Sequence, residues 1–444
     1  MSSRADTLTE RADAAAGEVV GLCRDLIRFD TSNYGDQPGP GERAAAEWVA
    51  GQLSDAGIEP TVLESEPGRT SVVARLAGSD PARDALLVHG HLDVVPADAA
   101  DWQVDPFAGE VRDGMLWGRG AIDMKDMVAM TLAAARAYAR TRTAPPRDLV
   151  LAFVADEEAG GVQGAHFLVE RHRELFDGCT EAVSEVGGFS VTAPDDSRLY
   201  LIETAEKGIA WLKLTMRGTA GHGSMTNPDN AVTALAEAVG RLGRTRLPQR
   251  LTPTVQAFLE RMTEPFGLTL DPDDIAAGLG PLGPIGRIIS ATLRNTATPT
   301  MLAAGYKVNV IPGTATAYVD GRFLPGHEAT FLRELDEILG PDVVREDVHR
   351  DIAVETSFDG ALVDAMGDAL RAEDPGAQTV PYCLSGGTDA KSFSTLGMRC
   401  FGFSPLLLPP DLDFSGLFHG VDERVPLAGL EFGARVLTRF LDAS

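Results

Sequence analysis

Residues 86–96 read LLVHGHLDVVP. An unbroken aliphatic run ends in His89, His91 and Asp93 and stops at Pro96. A strand apolar at every position suits burial on both faces, the condition of a parallel sheet. LVLAFVA at 149–155 and EAVSEV at 181–186 are further strand-like runs, and helical periodicity fills 124–143 and 162–176. The alternation predicts an α/β fold, a mainly parallel sheet flanked by helices. In such sheets ligand groups gather just beyond the C-terminal ends of the strands. His91, Asp93, Glu157, Glu158 and Glu185 all fall there.

Each motif has a plain reading beside a chemical one. His91 and Asp93 are two apart, so on an extended strand end they point the same way, and the carboxylate can accept the second imidazole N–H. Alone, the pair is equally a satisfied polar strand end, and His89, on the other face, is structural. Asp123 in LWGRGAIDMKD opens a helix as an N-cap or serves as a bridging carboxylate. Asp156, Glu157 and Glu158 repel one another unless a cation is near, or else form a solvated loop. Glu185 is a turn acid or a ligand, and His419 a loop histidine or a ligand. Glu423 and Arg424 read as a local ion pair. Together, two histidines and at least three carboxylates at strand and loop ends suit two zinc-like divalent ions sharing one carboxylate, with a spare carboxylate left to activate water.

Helices are expected from Thr7 to Phe29 and from Glu42 to Ala56, with a Gly/Pro-rich loop, NYGDQPGPGE, between them. After about residue 206 the order becomes strand, helix, a Pro/Gly-rich insertion at about 245–300, two strands, helix, strand. That predicts a smaller α+β domain of ferredoxin-like type over 206–356, set between the two parts of the main domain, 1–205 and 357–444.

The 65 acidic against 39 basic residues give a net charge of −26, and no Lys/Arg cluster is present. Nucleic acid and anionic membrane surfaces are therefore poor partners. The four cysteines form no CxxC pair, so any metal must rest on histidine and carboxylate. The opening residues MSSRADTLTERADAAAG lack the apolar stretch of a signal peptide, and the expected location is the cytoplasm.

HGHLDVVP, GRGAIDMKD, ADEEAGG, SEVGG, GTAGHGS and FHGVDE occur in this order. They closely resemble the co-catalytic zinc hydrolases that include aminoacylase, acetylornithine deacetylase, succinyl-diaminopimelate desuccinylase, carboxypeptidase G and carboxypeptidase S. The resemblance spans about residues 10–440. It implies that His91 and Glu185 hold one zinc, His419 and Glu158 a second, and that Asp123 bridges them, with cobalt or manganese as other possible ions. It makes Asp93 the partner of His91 and Glu157 the general base. His222 would stabilise the oxyanion in a partner subunit's site, so a homodimer is implied, with the smaller domain serving dimerisation or as a lid. Asn309 and Arg322 would contact substrate, and Gly386, Gly387 and Thr388 would cradle its carboxylate. The implied activity is hydrolysis of an amide beside a free carboxylate, with dipeptidase or carboxypeptidase action leading, N-acyl-amino-acid deacylation as the alternative, and a silent binding protein on the same fold as a third reading. Two positions depart from the pattern. Asp126 follows Lys125 where glycine is usual, and Val186 separates Glu185 from its glycines, which leaves Glu181 as a substitute ligand.

Overall fold

A computed structural model describes residues 4–35 and 37–444; Asp36 of the NYGDQPGPGE loop lies outside the described residues. The main sheet runs Pro60–Glu66, Arg69–Leu76, Leu149–Val154, Ala85–His91, Cys179–Ser184, Arg399–Gly402, Arg198–Glu206 and Val354–Glu355, with Gln378–Leu384 and Phe189–Thr192 also joined to Arg198–Glu206. Its centre is parallel: Ala85–His91 runs with both neighbours, and Arg399–Gly402 runs with Cys179–Ser184. Every residue of Ala85–His91 and of Leu149–Val154 is buried, as their unbroken aliphatic runs require. Helices Arg4–Ile27, Lys125–Thr141 and Leu427–Ala443 pack together over one side of this sheet. No helix among the described residues is long and apolar enough to cross a membrane.

The second sheet is antiparallel, in the order Thr296–Ala304, Thr314–Phe323, Gly208–Arg217, Val344–Asp351. Helices Ala231–Arg244 and Glu328–Leu339 cover one face of it and share its apolar core. The first of these starts at Ala231, where Asn230 caps it by accepting from the Val232 and Thr233 amides.

Three local expectations are revised. The single helix over 162–176 is two pieces, Ala165–Arg171 and a 3-10 turn Arg173–Phe176, interrupted where His172 leaves helical geometry. Asp123 caps nothing: the helix begins at Lys125, and Met124 precedes it without a side-chain cap. The stretch 245–300 folds into helices Pro253–Phe266 and Pro284–Thr292 that join the main core rather than the small sheet's. Val255, Phe258, Leu259 and Met262 recur at helical spacing and are buried, so this helix needs an apolar partner, which the Gln378–Leu384 strand of the main sheet supplies. The 206–356 stretch is therefore not a single packing unit.

Candidate metal centre and catalytic cleft

The strand Ala85–His91 delivers His91 to the C-terminal edge of the sheet, next to the exits of Leu149–Val154 and Cys179–Ser184. His91 Nε2 lies 3.1 Å from Asp123 Oδ1, 3.5 Å from Glu185 Oε2 and 4.0 Å from Glu157 Oε2. His419 Nε2 lies 3.2 Å from Asp123 Oδ2 and 3.1 Å from Glu158 Oε2. Asp123 thus offers one oxygen to each imidazole, the geometry of a shared carboxylate between two cation positions. Three overlapping groups have ligand atoms close enough for one ion: His91, Asp123, Glu185; His91, Glu157, Glu158; and Asp123, Glu158, His419.

The electrostatics fit cations at these positions. Burial pushes Glu185 up to about 7, and burial together with the charges of Glu185 and Glu158 pushes Glu157 well above its usual range. Burial raises Asp123 as well, but its contacts with His419 and His91 outweigh that and hold it below the usual carboxylate range. Hydrogen bonds to Asp123 and Glu158 raise His419 to about 10. A cluster that draws this much positive charge onto its imidazoles is one that a divalent ion satisfies. Glu158 also has an oxygen, Oε1, buried and without a hydrogen-bond partner among the described residues.

Asp93 does not hold His91 through its carboxylate. The His91 ring meets the Asp93 backbone carbonyl at 2.8 Å through Nδ1, while the carboxylate stands 3.6 Å away. A donor at Nδ1 leaves Nε2, the atom facing the carboxylates, free to ligate. The Asp93 carboxylate instead accepts from the Glu157 amide at 3.1 Å, the Glu158 amide at 3.0 Å and Asn33 Nδ2 at 2.8 Å. It fixes the turn that carries both acids. Asn33 is fixed in turn by Arg69, which also pairs with buried Glu42 at 2.5 Å.

His89 is buried against Phe393 with no hydrogen bond to either ring nitrogen among the described residues, in keeping with a structural role. Glu181 pairs with Arg147 at 2.9 Å and belongs to a different cavity, which leaves Glu185 as the acid that faces His91. Asp126 is buried under its helix start, with its pKa raised to about 8 by burial, and is outside the metal-facing groups. Glu423 does not pair with Arg424. It lies fully buried, bonded to Arg119 at 2.8 Å and accepting from the Gly120 and Ile122 amides at 3.0 and 2.8 Å. Those three contacts clamp the turn that leads into Asp123.

Val186 occupies a left-handed conformation, φ 57°, that a β-branched side chain rarely adopts. Its carbonyl accepts a hydrogen bond from the Tyr382 hydroxyl, which holds it there. Val186→Gly is expected to raise stability by up to about 1 kcal/mol. Relief of roughly 1–2 kcal/mol of left-handed strain exceeds the roughly 0.4–1 kcal/mol entropic cost of glycine. A urea titration in chelator-containing buffer checks this, and a lower midpoint at unchanged slope refutes it.

The cluster opens into a cleft of about 490 Å³ lined also by Arg322, Gly386, Gly387 and Thr388. Arg322 is held by Asp320 at 2.7 Å. Thr388 donates to Glu206 through its amide at 2.9 Å and its hydroxyl at 2.6 Å. Gly387 is packed so closely that a Cβ there would meet Lys391 Cε at 2.4 Å. His222 and Asn309 do not line the cleft of this chain. Both are exposed, on neighbouring segments, with Gly221–His222 paired to Val310–Ile311. Several cleft residues escaped the sequence reading. Asp389 follows directly on SGGT, and the aromatics Phe189, Phe414 and Phe418 sit beside ligand positions. Their chain order near Glu185 and His419 is the one available signal.

A sequence profile of Peptidase family M20/M25/M40 matches residues 87–443. The chain is 28% identical over 452 residues to N-fatty-acyl-amino acid synthase/hydrolase PM20D1 of Xenopus tropicalis, covering 96% of this chain and 85% of that protein. It is 27% identical over 431 residues to aminoacylase-1 of Sus scrofa, covering 96% and 94%. In fold it is similar to the M20 family metallo-carboxypeptidase Sso-CP2 of Sulfolobus solfataricus, with a TM-score of 0.71 at 17% identity over 96% of this chain and 99% of that one. The chain belongs to Peptidase family M20/M25/M40 and is a hydrolase of amide bonds.

Proposed function

We propose that the protein hydrolyses N-acyl amino acids whose acyl group is apolar. The observation that carries this reading is the aromatic wall of the cleft. Phe414 packs on Phe189 at 5.0 Å and on Phe418 at 5.1 Å, and Phe418 is the residue before His419. Ile288 and Val186 extend the same lining. The small sheet and the SGGT loop contribute the polar lining, Arg322 with Gly386, Gly387 and Thr388, suited to a carboxylate. The names of two relatives, an N-fatty-acyl-amino acid hydrolase and an aminoacylase, point the same way.

His91, Glu185, His419 and Glu158 would hold two divalent ions, zinc the best match to these ligands, with Asp123 between them. When bound, such ions would supply Lewis-acid polarisation of a carbonyl and of water. Glu157 takes the proton of that water and passes it to the nitrogen of the leaving amino acid. Asp93 positions Glu157 through its backbone amide. The exposed Met301, Tyr306 and Val308, close in sequence to Asn309, support docking of a second copy, which would bring His222 towards the neighbouring cleft.

Dipeptide cleavage shares this centre and differs in what meets the aromatic wall, where a free ammonium would lose its water. Amine release by the zinc-reconstituted protein is the test, on unblocked dipeptides matched with N-acyl amino acids of the same C-terminal residue. Acyl substrates with an apolar chain are expected to be at least tenfold better in kcat/KM, about the value of two buried methylenes. Faster dipeptide cleavage assigns the enzyme to the peptidases instead.

A further inference from the structure

The catalytic cleft is bordered at its aromatic wall by further apolar space. A second cavity of about 300 Å³ adjoins it, and the two share Phe189, Phe414 and Ser415. The lining of this second space is largely apolar: Val191, Phe266, Leu282, Ile285, Leu408 and Leu412. Phe266, Leu282, Ile285 and Leu408 are buried members of the main core, so its walls are fixed by packing. Its acids, Asp411 and Asp413, are exposed, and Asp413 is held by Arg287 at 3.1 Å. The partition between the spaces grows from the ligand-bearing loops themselves, with Phe189 four residues after Glu185 and Phe414 five before His419. The 281–285 wall comes from the stretch at 245–300.

The geometry points to this second cavity as the seat of the distal carbons of a long, unbranched acyl chain, whose carbonyl lies at the metal-facing acids and whose amino-acid carboxylate lies on the Arg322 side. The assignment rests on the N-acyl reading above and extends it to chain length. A short acyl group ends within the first space. A long one passes Phe189 and Phe414 and buries further methylenes, each worth roughly fourfold in binding.

The test uses the full-length, zinc-loaded protein and two variants that fill the second cavity from different elements, Leu282→Trp and Val191→Trp. Val191 is only half-buried, so its variant keeps the test valid if the other misfolds. N-acyl leucines from acetyl to hexadecanoyl are assayed below their micelle concentrations. Wild type is expected to gain at least tenfold in kcat/KM between hexanoyl and dodecanoyl. The variants are expected to lose that gain while acetyl-leucine turnover stays within twofold. Calorimetric binding of dodecanoate decides the cavity apart from turnover, with at least tenfold weakening expected in a folded variant. Dodecanoate that binds wild type and variants alike, or binds none of them, overturns the assignment. If no acyl-leucine is hydrolysed but dodecanoate binding is lost in the variants, the N-acyl reading falls and the cavity stands as an alkyl-chain site.

Discussion

Glu157→Gln is expected to lower kcat by about 10²–10⁴-fold, the usual contribution of a general base, with two zinc ions per chain still bound. Glutamine keeps the shape and removes the proton acceptor. Glu157 Oε2 is 4.0 Å from His91 Nε2, farther than Asp123 at 3.1 Å or Glu185 at 3.5 Å, so its loss leaves the nearer ligand candidates in place. The Asp93 bonds to the Glu157 and Glu158 amides involve backbone atoms and survive the change. Steady-state rates with metal analysis of the same sample decide it. Turnover near wild type removes Glu157 from the chemistry, and loss of one zinc makes it a ligand.

The second large effect lies outside the cleft. Glu423→Ala is expected to destabilise the protein by about 3–5 kcal/mol, because it leaves a buried guanidinium without its partner. Arg119 and Glu423 are both buried, and two backbone amides lose their acceptor in the same step. Burial raises Glu423 to about 7, so the measurement belongs at pH 8, where the pair is charged. Denaturant unfolding in chelator gives the loss. Since the clamped turn carries Asp123, zinc affinity should also fall, by about 10–100-fold, in a competition titration. Unfolding within 1 kcal/mol of wild type would mean that the turn holds itself without the clamp.

These two residues mark where the sequence was informative and where it was not. Glu157 is singled out because the buried strand Leu149–Val154 ends three residues before it and aims its loop at the sheet edge, and the family resemblance then chose the base reading over a solvated loop. Glu423 is misleading because its neighbour in the chain, Arg424, is a plausible partner, while its actual partner, Arg119, is 304 residues away. Asp93 is similar. Its spacing from His91 suggested a side-chain contact, but the strand end turns the carbonyl to the ring and the carboxylate to the following loop.

The sequence by itself determined the sheet's centre, because two-sided burial writes an unbroken aliphatic run, and it set His91, Glu157, Glu158 and Glu185 just past such runs, whereas the roles of Asp123 and His419 came from the family resemblance. It also placed three of the four strands of the small antiparallel sheet and its two helices, but not the strand Thr296–Ala304, which overlaps the stretch read as an insertion. Only the tertiary structure decided that the Asp93 carboxylate holds the 157–158 turn, that Glu423 braces the Asp123 turn, and that helices from the 245–300 stretch join the main core. It alone decided that Phe189 and Phe414, far apart in the chain, form the wall shared by two adjoining cavities, the second of which Leu282 lines. The physical reason is range: periodicity reports what one segment must bury, whereas pairing and cavity shape arise between segments that meet only when the chain is packed.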